Sequence, residues 1–98
     1  MDKEVCKSLD QVRSNIDKID DEIIRLIALR GEYVSQAAAF KTSETAVRDN
    51  SRVEAVVRKA RSTAERYGAD PDLVEAVYRE MISRFINSEM SVFKGAAT

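Results

Sequence analysis

One row of positions constrains this chain more than any other feature. Leu9, Val12, Ile16, Ile19, Ile23, Leu26, Arg30, Tyr33, Ala37 and Phe40 follow one another in steps of three and four. That spacing is one face of an α-helix and the seam of a heptad repeat, sustained over about four repeats. Ser8, followed three residues later by Gln11, has the form of a capping box. The pattern predicts a single helix from about Ser8 to about Thr42, roughly 50 Å long at 1.5 Å per residue. Gly31 interrupts it at a cost of only about 1 kcal/mol relative to Ala.

Two more helices follow. Val53, Val56, Val57, Ala60 and Ala64 give the apolar face of a helix from about Asp49 to Tyr67, with Gly68 as its stop. Asp70 is placed to cap the next helix, and Pro71 sits at its first position, where a missing N–H does no harm. Val74, Val77, Tyr78, Met81, Ile82, Phe85 and Ile86 line that helix, which is predicted to fade near Lys94–Gly95. Ser43–Arg48 is read as the one loop inside the domain. With three Gly and one Pro the chain lacks the turn signals of a β-sandwich. The expectation is all-α: three helices in a single domain over residues 1–98, with 1–7 and 95–98 frayed.

The long helix does not suit a compact monomer of 98 residues, whose radius of gyration would be about 13 Å. Its seam also carries more apolar surface than two short helices can cover. A second copy of the chain is the simplest cover, and an interlocked homodimer is expected. An extended monomeric hairpin, or an antiparallel coiled coil without a site, remains the alternative.

A net charge of −1, with no block of like sign, gives no electrostatic case for nucleic acid or an anionic membrane. No apolar run approaches the roughly eighteen residues of a membrane span. Met1–Asp10 lacks the apolar core of a secretory signal. One Cys and no His exclude an internal disulfide and a Cys/His metal set. A cytoplasmic protein without metal or cofactor is expected.

Charges interrupt the apolar pattern at two places. Arg30 sits in the seam between Leu26 and Tyr33, and an unpaired guanidinium is costly to bury. It faces either an internal carboxylate, a wet interface to which it snorkels, or an anionic ligand. Within one continuous helix, Lys41 would share its face, about 16 Å further along the axis. Arg13, about 100° away, would serve a second copy's pocket more readily, and taken alone it reads as a solvated charge. Arg48 and Arg52 could reach a ligand or stay in solvent. Glu89 continues the apolar stripe of the last helix, after Ile82 and Phe85. It either marks a wet helix end or loses solvation, which disfavours its charged form unless a cation compensates.

Arg13, Ile16, Asp17, Asp20, Arg30 and Lys41, with the later run Val47-Arg48-Asp49-x-x-Arg52, resemble the all-helical chorismate mutase family. The resemblance extends from about Leu9 to Met90. Tyr33-Val34, Phe40-Lys41-x-Ser43-Glu44, Arg52-Val53 and Cys6 are closer to that family's isochorismate pyruvate lyase branch.

The resemblance implies a homodimer with shared active sites and a small dicarboxylate substrate. It implies that Arg30 and Arg52 bind carboxylates from one protomer and that Arg13 reaches in from the other. Lys41 would meet a carboxylate and the ether oxygen of the breaking bond. Glu89 stands where most bacterial members have a Gln that donates to that oxygen. Asp49 falls near the substrate's ring hydroxyl. Val53, a residue that the lyase branch also has there, stands where the best-known bacterial mutases place a Glu, whereas an acid at Asp49 is a mutase trait. Glu89 can donate only when protonated. The implied activity is the rearrangement of chorismate to prephenate, which needs no nucleophile, metal or redox cofactor. Isochorismate pyruvate lyase is the alternative, and a non-catalytic helical dimer the third reading.

Overall fold

The structure, a computed structural model, describes residues 3–97, and side chains for all of these except Thr45 and 93–97. The order is α1 (Leu9–Ala38), α2 (Glu44–Val47), α3 (Asn50–Tyr67) and α4 (Pro71–Ala97). No strand occurs among the described residues. The fold is all-α, with three long helices and one single-turn helix.

The chain divides into two compact units, Met1–Tyr33 and Val34–Thr98. In the first, the capping box forms nearly as read. The Gln11 N–H donates to Ser8 Oγ at 3.1 Å, and the Lys7 N–H donates to Gln11 Oε1 at 2.7 Å. Upstream, Asn15 Nδ2 donates to Cys6 Sγ at 3.3 Å, tying the non-helical lead to α1. None of the 30 residues of α1 is buried. Its seam is open, with Ile16, Ile23 and Leu26 about half exposed.

The second unit is built on the α3–α4 hairpin. Gly68 adopts φ 75°, the left-handed conformation that costs glycine nothing. Its N–H donates to Glu65 O at 3.2 Å, and the Ala69 N–H to Ala64 O at 2.8 Å. Together these close the Schellman motif that ends α3. Asp70 Oδ1 then accepts from the Asp72 N–H at 2.9 Å, and Pro71 opens α4, as predicted. Val57, Ala60 and Ala64 of α3 are buried, as is Ile82 of α4.

Ion pairs fix the register across the hairpin. Arg79 meets both oxygens of Glu54 at 3.0 and 2.9 Å and Glu75 at 2.7 Å. Arg61 meets Glu75 at 2.7 Å and Asp72 at 3.0 Å. With Asp72 opposite Arg61 and Arg79 opposite Glu54, the last turns of α4 outrun the start of α3. There α4 packs against α2, and Val47 and Met90 are both buried.

Three boundaries differ from those read in the sequence. The helix predicted to reach about Thr42 ends at Ala38, so helical geometry no longer sets Lys41 on the face of Arg30. The segment Ser43–Arg48 contains α2 rather than being all loop. Ser43 explains both. It takes an extended backbone (φ −149°, ψ 160°), and its Oγ accepts the Ala46 N–H at 3.2 Å. A residue serving as the N-cap of a new helix cannot continue the old one. At the other end α4 continues through 95–97, past its predicted fading point. Met1, Asp2 and Thr98, also expected to fray, lie outside the described residues.

Candidate functional site

The site is built around the segment between α1 and α2. After Ala38 the chain tightens into bonds three residues apart. Ala39, Phe40 and Lys41 donate to the carbonyls of Gln36, Ala37 and Ala38 at 3.2, 3.0 and 3.2 Å. Ser43 then starts α2. Lys41 is therefore held between a tightened helix end and a capped helix start.

Its ammonium reaches the overhanging part of α4. Lys41 Nζ donates to Glu89 Oε2 at 2.8 Å. Glu89 is 8% exposed and is the buried charged residue among the described ones. A carboxylate removed from water needs a compensating cation, and Lys41 supplies it. The acid is the more enclosed partner, since the Lys41 side chain keeps 27% exposure.

Asp49 lies next along the chain, as the N-cap of α3. Its Oδ1 accepts the Ser51 hydroxyl at 2.8 Å and the Arg52 N–H at 3.2 Å. The Ser51 hydroxyl, foremost, and the Arg52 N–H hold its carboxyl below the ordinary 3.8, and the charge of Lys41 adds a smaller pull. Arg52 contributes its backbone to this cap while its side chain is exposed, as is Arg48, the C-cap of α2. Val53, the next residue, is half-buried.

Of the residues singled out in the sequence, Lys41 and Glu89 are in direct contact, and Asp49 lies within electrostatic reach of Lys41. Arg13 and Arg30 belong to the first unit, on α1, the former exposed and the latter half-buried. The sequence reading expected an organic acid to balance Lys41. In the structure one of the protein's own acids does so. Ser43 and Ser51 escaped notice as residues that position the site. Their signal was the preference of Ser for helix starts, masked at Ser43 by the continuing apolar seam of α1.

The arrangement offers a fixed ammonium beside an enclosed carboxyl, with a second carboxylate nearby. It can grip an anion and place a proton donor next to it. No cluster of three or more His, Cys, Asp or Glu suited to a metal ion occurs among the described residues. No helix among them is long and apolar enough to cross a membrane.

Known proteins are similar to this chain in sequence. An isochorismate pyruvate lyase of Pseudomonas aeruginosa is 32% identical over 91 residues, covering 93% of this chain and 90% of the relative. A T-protein of Haemophilus influenzae is 34% identical over 90 residues, covering 90% of this chain but only 24% of the relative, so the chain spans about a quarter of that protein. Residues 12–90, which include Arg13, Lys41, Asp49 and Glu89, match the family described as chorismate mutase type II. On that match, over most of its length, the chain belongs to the chorismate mutase type II family.

Proposed function

We propose that the protein is a chorismate mutase, working in the cytoplasm as a homodimer in which residues 1–98 act as one domain and each site draws on both copies. The observation that carries the reading is the ammonium of Lys41, fixed at both ends of its segment and turned onto an enclosed acid. In the rearrangement one C–O bond breaks as one C–C bond forms within the same molecule. The work is to hold a compact conformer and to stabilise the charge that builds on the ether oxygen. In this reading Lys41 meets that oxygen. Arg30 and Arg52, with Arg13 of a second copy, grip the two carboxylates, and Asp49 takes the ring hydroxyl. Glu89 assists as a neutral acid, because an ionised carboxyl would oppose the developing negative charge.

The open seam of α1 supports the homodimer. Thirty residues without a buried side chain are a surface that a second copy can cover. The test of function is a pair of assays on the purified chain. Chorismate should be consumed, seen as loss of its diene absorbance, while isochorismate should give no fluorescent salicylate. Inertness toward both would overturn the reading.

Isochorismate pyruvate lyase is the second reading. The identity to the Pseudomonas relative along nearly its whole length favours it, as does Val53 in place of an acid. That reaction asks for the same carboxylate grip and the same donor at the ether oxygen, but it transfers a hydrogen and releases pyruvate. Salicylate in the second assay would select it.

A further inference from the structure

Asp49 is held more firmly than its role in the helix requires. An N-cap side chain serves the first turn by accepting from one of its N–H groups. The Arg52 N–H, 3.2 Å from Oδ1, already uses Asp49 in that way. The Ser51 hydroxyl adds a second bond to the same oxygen at 2.8 Å. That bond satisfies no backbone group of α3, yet it is the foremost of the influences that lower the Asp49 carboxyl. Asp70, at the start of α4, shows the simpler arrangement, with the Asp72 N–H on its Oδ1 at 2.9 Å. Thr63, inside α3, shows the common use of a helical hydroxyl, donating to Lys59 O four residues back at 2.8 Å. The extra bond at Asp49 has a geometric effect. The terminal torsion of an Asp side chain is broad, and two donors converging on Oδ1 narrow it. The carboxylate, acceptor-only when ionised, then presents Oδ2 in a set direction within the field of Lys41.

We propose that Ser51 is a positioning residue for substrate recognition: its hydroxyl pins Oδ1 of Asp49, so that Oδ2 is aimed to accept from the substrate's ring hydroxyl. The proposal rests on the reading of Asp49 as the acceptor of that hydroxyl. Ser51 itself touches no substrate. Without its hydroxyl, the Asp49 carboxyl keeps its charge and its bond to the Arg52 N–H. It must then give up torsional freedom when the ligand binds, and that ordering weakens binding. The bond-breaking step, placed at Lys41, is left as it was, because the lost order serves ground state and transition state alike.

The test is steady-state turnover of chorismate by the intact protein and its Ser51 variants near neutral pH, alongside inhibition by a chorismate analogue that lacks the ring hydroxyl. Ser51→Ala should raise KM about three- to tenfold, the usual worth of one hydrogen bond, with kcat little changed. Its inhibition constant for the analogue should match that of the wild type. Its melting temperature should not fall, because Ala is the better helix former. Ser51→Thr, which keeps the hydroxyl, should restore KM. In an Asp49→Ala background, Ser51→Ala should change nothing further. Ser51→Cys, a weak donor of similar size, should also raise KM and serves if Ser51→Ala does not fold. An unchanged KM in the Ser51 variants, while Asp49→Ala raises it, overturns the positioning role and leaves the reading of Asp49 intact. So does equal weakening toward chorismate and the analogue, or an undiminished effect of Ser51→Ala in the Asp49→Ala background. If Asp49→Ala leaves KM unchanged, or the wild type is inert toward chorismate, the reading of the site falls and the positioning role with it.

Discussion

Lys41 Nζ lies 2.8 Å from Oε2 of Glu89, a residue 48 positions later, and this contact joins the segment between α1 and α2 to the far part of α4. Its two functions can be separated. In a double-mutant cycle with Lys41→Met and Glu89→Gln, the double variant should lose less stability than the sum of the singles, with a coupling of about 0.5–3 kcal/mol. Denaturant unfolding measures it. Turnover should follow a different rule. Lys41→Ala should lose about 10²–10³-fold in kcat, the usual effect of removing one donor to a developing oxyanion. A folded Lys41→Ala protein with most of its activity would show that the chemistry lies elsewhere.

Asp49 allows a similar separation, because it caps α3 and also stands near Lys41. Asn caps helices about as well as Asp. Asp49→Asn should therefore keep the melting temperature while changing KM for chorismate. Asp49→Ala should lower the melting temperature as well. Equal thermal losses in the two variants would mean that charge, not capping, is what Asp49 gives the fold.

The exposed seam of α1 predicts a quaternary effect. Ile19→Glu combined with Ile23→Glu places like charges one helical turn apart on that face. The variant should sediment as a monomer and lose turnover, since Arg13 of a second copy would no longer reach the site. A dimeric, active variant would place the interface on another surface.

Acid should weaken the hairpin. Arg79 and Arg61 hold the Glu75 carboxyl below its ordinary 4.5, and Arg79 does the same for Glu54. Carboxyls whose folded values are depressed contribute stability above the unfolded value and lose it as pH falls through the folded one. Thermal stability should thus be level near neutrality and decline below about pH 4.5. Because the network is at the surface, salt should shrink the effect. Glu75→Gln should make the decline shallower, measured by melting curves from pH 7 to pH 3.

Gly68 isolates a backbone effect. An added Cβ would meet nothing within 4 Å, so Gly68→Ala changes only the ease of holding φ 75°. The expected loss is about 1–2 kcal/mol, the usual penalty for an L-residue in the left-handed region. A neutral substitution would mean that the turn relaxes out of that region.

Much of the fold was legible because its signals are local. Ser8 and Gln11, Gly68, and Asp70 with Pro71 each act through hydrogen bonds to near neighbours, and each stands where the sequence put it. The end of α1 was not legible. The three-four pattern continues through Ala37 and Phe40, but Ser43 starts a competing helix, and the burial of Val47 at the level of α4 rewards that choice. For the site, the sequence marked Lys41 and Glu89 separately as a cation and an acid out of place. It gave no sign that each satisfies the other, because their contact depends on how far α4 runs past α3.

The α1 helix has a consequence for how the protein keeps its shape. A helix that encloses nothing of its own draws little stability from its sequence, since isolated helices in water are marginal. Whatever covers α1 therefore supplies part of the driving force for folding, and when that cover is another copy, mass action enters. With such a partner, dilution would act on this protein as a mild denaturant, and its melting point would rise with the amount in the tube.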